Sequence, residues 1–294
     1  QALKGAYYFH KLYYHTLGKS QSEDQLVYER PDQKEWGFGA GVTDDGRYAI
    51  INVWKGTEKK NLIFYKDLQT PGSPVVELMR EFEAEYDFID NDGTTFYFRT
   101  NYGAPKGRVI AFDINNAGRG NWTEIIPQVT ATLRAVSSVG GRLIAQYLKD
   151  AYSQVAVFNM EGKLLQSVEL PGLGTAAGFG GRKEDMESFY MYTSYFQPAT
   201  IYRYDISAGS GSYFKKPKVD INSAEYETKQ VFYKSKDGTK IPLFITSKKG
   251  LARDGQNPTY LYGYGGFDAA ITPFFSVSNM VWMEMGGVLA VANI

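Results

Sequence analysis

The run from Tyr262 to Phe267 holds the residue types best suited to chemistry in this sequence. Its three glycines let the backbone approach another group closely, and Tyr264 offers a hydroxyl donor. Acyl transfer builds negative charge on a carbonyl oxygen, and fixed donors stabilise that charge more in the transition state than in the ground state. The run therefore predicts part of an oxyanion hole. The competing interpretation is a tight turn before a helix.

The sequence shows no nucleophile and no base to accompany this donor. Ala208–Ser212 lacks the flanking glycines of a Gly-x-Ser-x-Gly elbow and is interpreted as a loop. His10 and His15 lie far upstream, whereas hydrolase triads place histidine last, so we assign both to structural roles. No cysteine is present, and we expect no metal site and no cofactor. The carboxylates assigned to turns rather than to a metal are Asp44, Asp45, Asp90 and Asp92.

A repeat of 46 residues organises most of the chain. Four apolar runs end in an acidic or amide residue, at Asp67, Asp113, Asn159 and Asp205. About twenty residues before each of them, a turn precedes an alternating strand, and Asp-Gly or Gly-Gly turns favour hairpins. Each unit thus predicts four short antiparallel strands, the pattern of a β-propeller blade. An irregular β-sandwich is the alternative.

Near residue 219 the pattern changes. Residues 1–219 are predicted to form a partial propeller, and residues 220–294 a second domain. The polar, proline-containing segment Lys215–Asn222 is typical of a linker. Beyond it, residues 226–233 and 241–246 alternate as an antiparallel pair.

The last part of the chain predicts a strand, a loop, a helix and a second strand. Pro258–Gly263 forms the first strand, and Ser276 caps a helix that ends at about Met285. Residues 288–292 are continuously apolar, as in a parallel sheet covered on both faces. This order indicates the beginning of an α/β domain. The helix residues expected to face inward are Val277, Met280 and Val281.

Composition excludes several classes of partner. The formal net charge is zero, so no global field attracts nucleic acid or an anionic membrane. The sequence contains no stretch of about 18 apolar residues, so no membrane span is predicted. The chain begins with glutamine and ends in a buried-strand pattern, so both ends are expected to be cut.

The Tyr-Gly run, together with Asp268–Val277, Met285–Ile294 and Ser235–Pro242, resembles the prolyl oligopeptidase family. The likeness extends into the propeller strands, for example Thr43–Tyr48. The resemblance implies that the chain is a mainly β internal fragment of a longer protein. In this family a seven-bladed propeller covers an α/β-hydrolase domain, and the pair cleaves short proline-containing peptides on the carboxyl side of proline.

Residue roles follow from the same resemblance. Tyr264 matches the oxyanion-hole tyrosine, and Phe267 matches an aromatic residue of the proline pocket. Some relatives carry methionine, arginine and cysteine on a propeller strand beside the substrate, where this chain has Phe38, Trp54 and Thr57. Phe38 and Trp54 are therefore candidate cavity-lining residues, and subsite preference beyond proline is open.

The resemblance places the catalytic serine, aspartate and histidine downstream of the strand at Val288. We therefore expect a serine-type endopeptidase when full-length, and no activity from this chain alone. The full-length protein is expected to be a cytoplasmic monomer, with the periplasm as the alternative compartment. Two other functions remain open: an oligopeptidase of the same clan that cleaves after basic residues, and a stand-alone propeller that serves as a binding module.

Overall fold

The computed structural model describes residues 7–252, 254–267 and 269–294. Strands joined by short turns make up most of it, and the chain divides into two units, residues 1–128 and 129–294. Within the described ranges, no helix has the length and apolar character needed to cross a membrane.

The first unit contains antiparallel sheets only, among the residues that the structure describes there. A two-stranded sheet pairs β1 (Lys11–Tyr14) with β2 (Gln25–Glu29). The next four strands follow in sequence order as β3 (Trp36–Val42), β4 (Tyr48–Lys55), β5 (Leu62–Asp67) and β6 (Val76–Met79). A further four-stranded sheet consists of β7 (Tyr86–Asp92), β8 (Thr95–Thr100), β9 (Arg108–Asp113) and β10 (Thr123–Ile126).

The second unit begins with two more sheets of the same kind and ends with a mixed sheet. The first comprises β11 (Thr132–Val139), β12 (Arg142–Lys149), β13 (Tyr152–Asn159) and β14 (Leu164–Val168). The second comprises β15 (Thr175–Gly180), β16 (Glu187–Thr193), β17 (Thr200–Asp205) and β18 (Ser210–Lys215). The last elements are β19 (Tyr226–Lys234), β20 (Lys240–Lys248), β21 (Thr259–Gly263), α1 (Val277–Glu284) and β22 (Val288–Ala292). Short 3₁₀ turns span Gln21–Glu23, Ile114–Asn116, Arg119–Asn121 and Ser223–Glu225.

The predicted repeat is confirmed by the strand register. In every four-stranded sheet of the repeat, the closing residue ends the third strand and pairs with the first residue of the second strand. Its side chain also caps the turn that follows; for example, Asp205 Oδ1 accepts hydrogen bonds from the N–H groups of Ser207 and Ala208. The four register pairs are Tyr48 with Asp67, Thr95 with Asp113, Arg142 with Asn159, and Glu187 with Asp205.

Aromatic side chains fill the cores between neighbouring sheets of one unit. In the first unit, Tyr48 of β4 meets Phe96 of β8 edge to face, with ring centroids 5.0 Å apart. In the second unit, Phe179 of β15 stacks on Tyr190 of the adjacent strand β16 at 4.5 Å, in a core that also contains Val139 and Ile144 of the β11–β14 sheet. Such geometries add to the stabilisation from apolar burial.

The mixed sheet runs in the order β19-β20-β22-β21. β22 pairs antiparallel with β20 and parallel with β21, and α1 lies between the two parallel strands in sequence. The strand–helix–strand order is thus confirmed. In the predicted linker Lys215–Asn222, Lys215 is the last residue of β18, and residues 216–222 carry no regular secondary structure.

The predicted inward face of α1 was wrong in part, although Met280 is buried as expected. In α1 the buried residues are Met280 and Met283, which pack with Phe244 of β20, whereas Val277 and Val281 are exposed. The helix has apolar residues on most of its surface, so the neighbouring sheet determines which face is buried.

Candidate functional site

The Tyr264 loop, which follows β21 and comprises residues 264–267 and 269–271 of the described chain, lies at the carboxyl end of a parallel strand pair. Gly263, the last residue of β21, pairs with Ala292, the last residue of β22, so the two strands end at one edge of the sheet. Tyr264 follows directly. In α/β sheets the crevice outside the carboxyl ends of the strands is the usual place for ligands, and Tyr264 lies at such an edge.

Glycines let the tyrosine ring lie close to its own loop. A β-carbon on Gly266 would lie 3.2 Å from the Tyr264 hydroxyl oxygen, and one on Gly265 would lie 3.4 Å from Ile294. A side chain at either position would press on the ring or on the end of the chain that follows β22. Tyr264 remains 39% exposed, so part of the residue is open to solvent.

Phe267 lies on the same loop and is almost fully exposed, at 92%. Its φ of +56° is in the left-handed region, which non-glycine residues adopt rarely and which is enriched at ligand sites. The structure therefore brings Tyr264 and Phe267 together on one loop. Asp268, the next residue, lies outside the described residues.

The segment after this loop is fixed to the β15–β18 sheet by two threonines. Thr175 and Thr193 are cross-strand partners at one end of that sheet. The Thr175 hydroxyl donates to the carbonyl of Pro273 at 2.7 Å, and the N–H of Phe275 donates to Thr193 Oγ1 at 3.2 Å. We call Thr175 and Thr193 the threonine pair.

An asparagine fixes the end of the loop itself. Asn293 follows β22 directly, and its Oδ1 accepts a hydrogen bond from the N–H of Ile271 at 2.7 Å. Sequence reasoning missed both Asn293 and the threonine pair. The only signal for Asn293 was a single amide after a continuous apolar strand, and the threonines looked like ordinary strand residues.

The two propeller candidates, Phe38 and Trp54, are not brought together. Phe38 pairs with Val53 and packs against Tyr28, with ring centroids 5.4 Å apart, on one face of the β3–β6 sheet. Trp54 is the next residue after Val53, so its side chain lies on the opposite face. It lies there against Gly37 and is 36% exposed.

Both histidines lie near the beginning of the described chain. The His10 ring meets Trp54 edge to face at 6.3 Å, and His15 Nδ1 hydrogen-bonds Asp24 Oδ1 at 2.6 Å. Across residues 7–252, 254–267 and 269–294, no group of three or more His, Cys, Asp and Glu side chains could hold a metal ion.

Most of the chain matches the model of one protein family. The model of the family described as "Prolyl oligopeptidase, N-terminal beta-propeller domain" matches residues 2–217. This chain belongs to the prolyl oligopeptidase family. The match confirms the mainly β class and the partial propeller, since it covers all the four-stranded repeat sheets.

Curated prolyl oligopeptidases align along almost the entire chain. The prolyl endopeptidase of Elizabethkingia miricola is 41% identical over 285 residues, which are 97% of this chain and 40% of that protein. Prolyl oligopeptidase A of Galerina marginata is 35% identical over 293 residues, 96% of this chain and 39% of its own length. The chain thus spans about 40% of the length of these relatives.

Solved structures show the same relationship. A prolyl endopeptidase from a study of interdomain dynamics in catalysis and specificity matches 99% of this chain and 42% of its own, with a TM-score of 0.83 and 35% identity. Prolyl oligopeptidase B from Galerina marginata, bound to a 25mer macrocyclization substrate, matches 99% of this chain and 42% of its own, with a TM-score of 0.87 and 29% identity.

Proposed function

We propose that this chain is part of a serine-type endopeptidase that cleaves short peptides after proline. The observation that carries the proposal is the 41% identity to a prolyl endopeptidase, which extends through the Tyr264 loop. The position of that loop, at the carboxyl edge of a parallel strand pair, supports it. We place the boundary at 219/220, between a propeller that controls access and the first strands of an α/β-hydrolase domain.

In this proposal Tyr264 is the oxyanion donor. As a serine oxygen attacks the carbonyl carbon of the prolyl residue, the carbonyl oxygen becomes negative, and the Tyr264 hydroxyl donates a hydrogen bond to it. Phe267 presents an exposed ring that a proline ring can cover, which removes apolar surface of both from water. Phe38 and Trp54 remain candidates for contacts beyond proline, but on different faces of their sheet.

The nucleophile and its base belong, in the proposal, to a part of the protein outside these 294 residues. The sequence contains no Gly-x-Ser-x-Gly run and no histidine after His15. An oxyanion donor by itself creates no charge to stabilise. We therefore expect that the 294-residue chain alone does not cleave a proline-containing chromogenic peptide. Cleavage by the pure chain that a serine-directed inhibitor abolishes would contradict this assignment.

The test of the site uses the full-length enzyme and the variant Tyr264→Phe. Loss of one oxyanion donor costs about 3 kcal/mol, or roughly a hundredfold in kcat, while the fold is retained. Tyr260→Phe on β21, also partly exposed, is the matched control and is expected to keep full turnover. Unchanged turnover of Tyr264→Phe would remove Tyr264 from the mechanism.

Specificity and setting complete the proposal. We expect a proline-containing chromogenic peptide to be cleaved in strong preference to an arginine-containing one, and the reverse preference would favour the oligopeptidase that cleaves after basic residues.

We also propose that the full-length protein is a monomer in the cytoplasm, with the periplasm as the alternative. Light scattering and cell fractionation test these two points.

A further inference from the structure

Asn293 and Tyr264 occupy matching positions on neighbouring strands. Tyr264 follows the last residue of β21, and Asn293 follows the last residue of β22. Because those last residues, Gly263 and Ala292, are register partners in a parallel pair, the two following residues leave the same edge of the sheet side by side.

The hydrogen bonds of Asn293 connect three segments. Its backbone N–H donates to the carbonyl of Pro242 on β20 at 3.0 Å, and its Oδ1 accepts from the N–H of Ile271 at 2.7 Å. The first bond holds Asn293 against the sheet, and the second holds the returning end of the Tyr264 loop against Asn293. The loop is therefore fixed at both ends, by the β21 backbone before Tyr264 and by the Asn293 amide after it.

The rest of the Asn293 amide is not used for stability. Its Nδ2 is buried and has no acceptor among the described residues. A buried donor without a partner disfavours folding, so an apolar residue would avoid that cost at this position. An apolar side chain, however, offers no acceptor to Ile271. Among the described residues, the hydrogen bond that the Asn293 side chain makes is the one that holds the loop.

We propose that Asn293 is a positioning residue for Tyr264 in the peptidase reaction. This inference rests on the proposed function of Tyr264. An oxyanion donor works only if its hydroxyl lies within hydrogen-bond distance of the position that the oxyanion will occupy. A displacement of about 1 Å at such a group can cost about a hundredfold in rate. Asn293 does not touch the substrate in this account, because it acts through the loop.

A double-mutant cycle on the full-length enzyme tests the proposal. The variants are Asn293→Ala, Tyr264→Phe and the combination, with kcat and KM measured on a proline-containing chromogenic peptide. We expect Asn293→Ala to lower kcat by at least about tenfold with little change in KM. In the Tyr264→Phe background the same change should cost less than about twofold, because the donor that Asn293 positions is already absent. Asn222→Ala, which removes an exposed cap elsewhere, is the control.

The outcomes separate the two assignments. If Tyr264→Phe is slow but the two effects multiply, Asn293 does not act through Tyr264, and the positioning role is overturned while the proposed function stands. If Tyr264→Phe has normal turnover, the oxyanion assignment itself fails, and the positioning role fails with it. Thermal unfolding checks each variant, and if Asn293→Ala does not fold, Asn293→Ser enters the same cycle, since its shorter side chain also loses the bond to Ile271.

Discussion

The indole of Trp54 occupies the space directly above Gly37, its partner across the β3–β4 pair. A β-carbon on Gly37 would lie 2.3 Å from Cε2 of that ring. Because Gly37 has no side chain, the Trp54 indole can lie close against the backbone of β3. Gly41 is in the same strand, and a β-carbon there would meet nothing within 4 Å.

This contrast gives a matched pair of substitutions. We expect Gly37→Ala to lower the free energy of unfolding by about 1–3 kcal/mol, because the new methyl group must displace the indole. Gly41→Ala should have little effect or stabilise slightly. Urea unfolding of the full-length protein measures both, and equal stabilities for the two variants would contradict the placement of Trp54.

The closing residues of the repeat give a second prediction. Asp205 Oδ1 accepts hydrogen bonds from two backbone N–H groups. In the preceding sheet, Asn159 Oδ1 accepts a hydrogen bond from the N–H of Lys163. We expect Asp205→Asn to be tolerated and Asp205→Ala to cost about 1 kcal/mol, since only alanine removes the acceptor. Thermal unfolding distinguishes the two variants. If Asp205→Asn lost as much stability as Asp205→Ala, the negative charge of Asp205, rather than its hydrogen bonds to the turn, would be the source of the stabilisation.

Alkaline pH is expected to destabilise the second unit through buried tyrosines. Burial, together with the smaller effect of neighbouring Tyr202 and Tyr204, raises the pKa of Tyr190 to about 12. The unfolded pKa is about 10, so the stabilising contribution is complete below pH 10 and is lost as the pH rises from about 10 to about 12. Tyr190→Phe cannot ionise in either state.

The measurement for this prediction is urea unfolding at about pH 9 and about pH 12. The free energy of unfolding should fall less between these two values in Tyr190→Phe than in the unsubstituted protein. Tyr147→Phe should behave in the same way, because burial also raises the pKa of Tyr147 to about 12. Parallel pH curves for the variants and the unsubstituted protein would show that these hydroxyls ionise equally in both states.

The threonine pair provides a prediction about the contact between the β15–β18 sheet and residues 273–275. Thr193→Val keeps the side-chain shape but leaves the N–H of Phe275 without its acceptor and removes one of the two hydrogen bonds that the carbonyl of Gln197 accepts. We expect a loss of about 1–3 kcal/mol in the free energy of unfolding. Thr123→Val, at an exposed strand position, should change it little. Stability equal to that of the control would mean that the hydroxyl of Thr193 contributes nothing to this contact.

The repeat sheets could be predicted from sequence because their signals are local. An acidic or amide residue that caps a turn is visible by type and spacing, and three equal steps fix the third strand of each sheet. The faces of Phe38 and Trp54 were not predictable in the same way. These residues lie on different strands, and a shift of one residue in the pairing moves a side chain to the other face.

The same distinction explains the outcome near Tyr264. The strand, the glycine-rich turn and the following strand were predicted because each has its own composition. The bond between Asn293 and Ile271 was not, because its donor is a backbone N–H that every residue but proline carries. The inward face of α1 was misassigned since the residues that select it, Phe244 and Leu289, belong to other strands.

The common register of the four repeat sheets has a consequence for how such a gene can change length. Asp67, Asp113, Asn159 and Asp205 stand 46 residues apart, and each faces the first residue of a second strand. An unequal crossover between two consecutive codons of this set would add or delete one complete sheet while keeping every side chain on its original face. Duplication in steps of one sheet is therefore the evolutionary path that this architecture tolerates best.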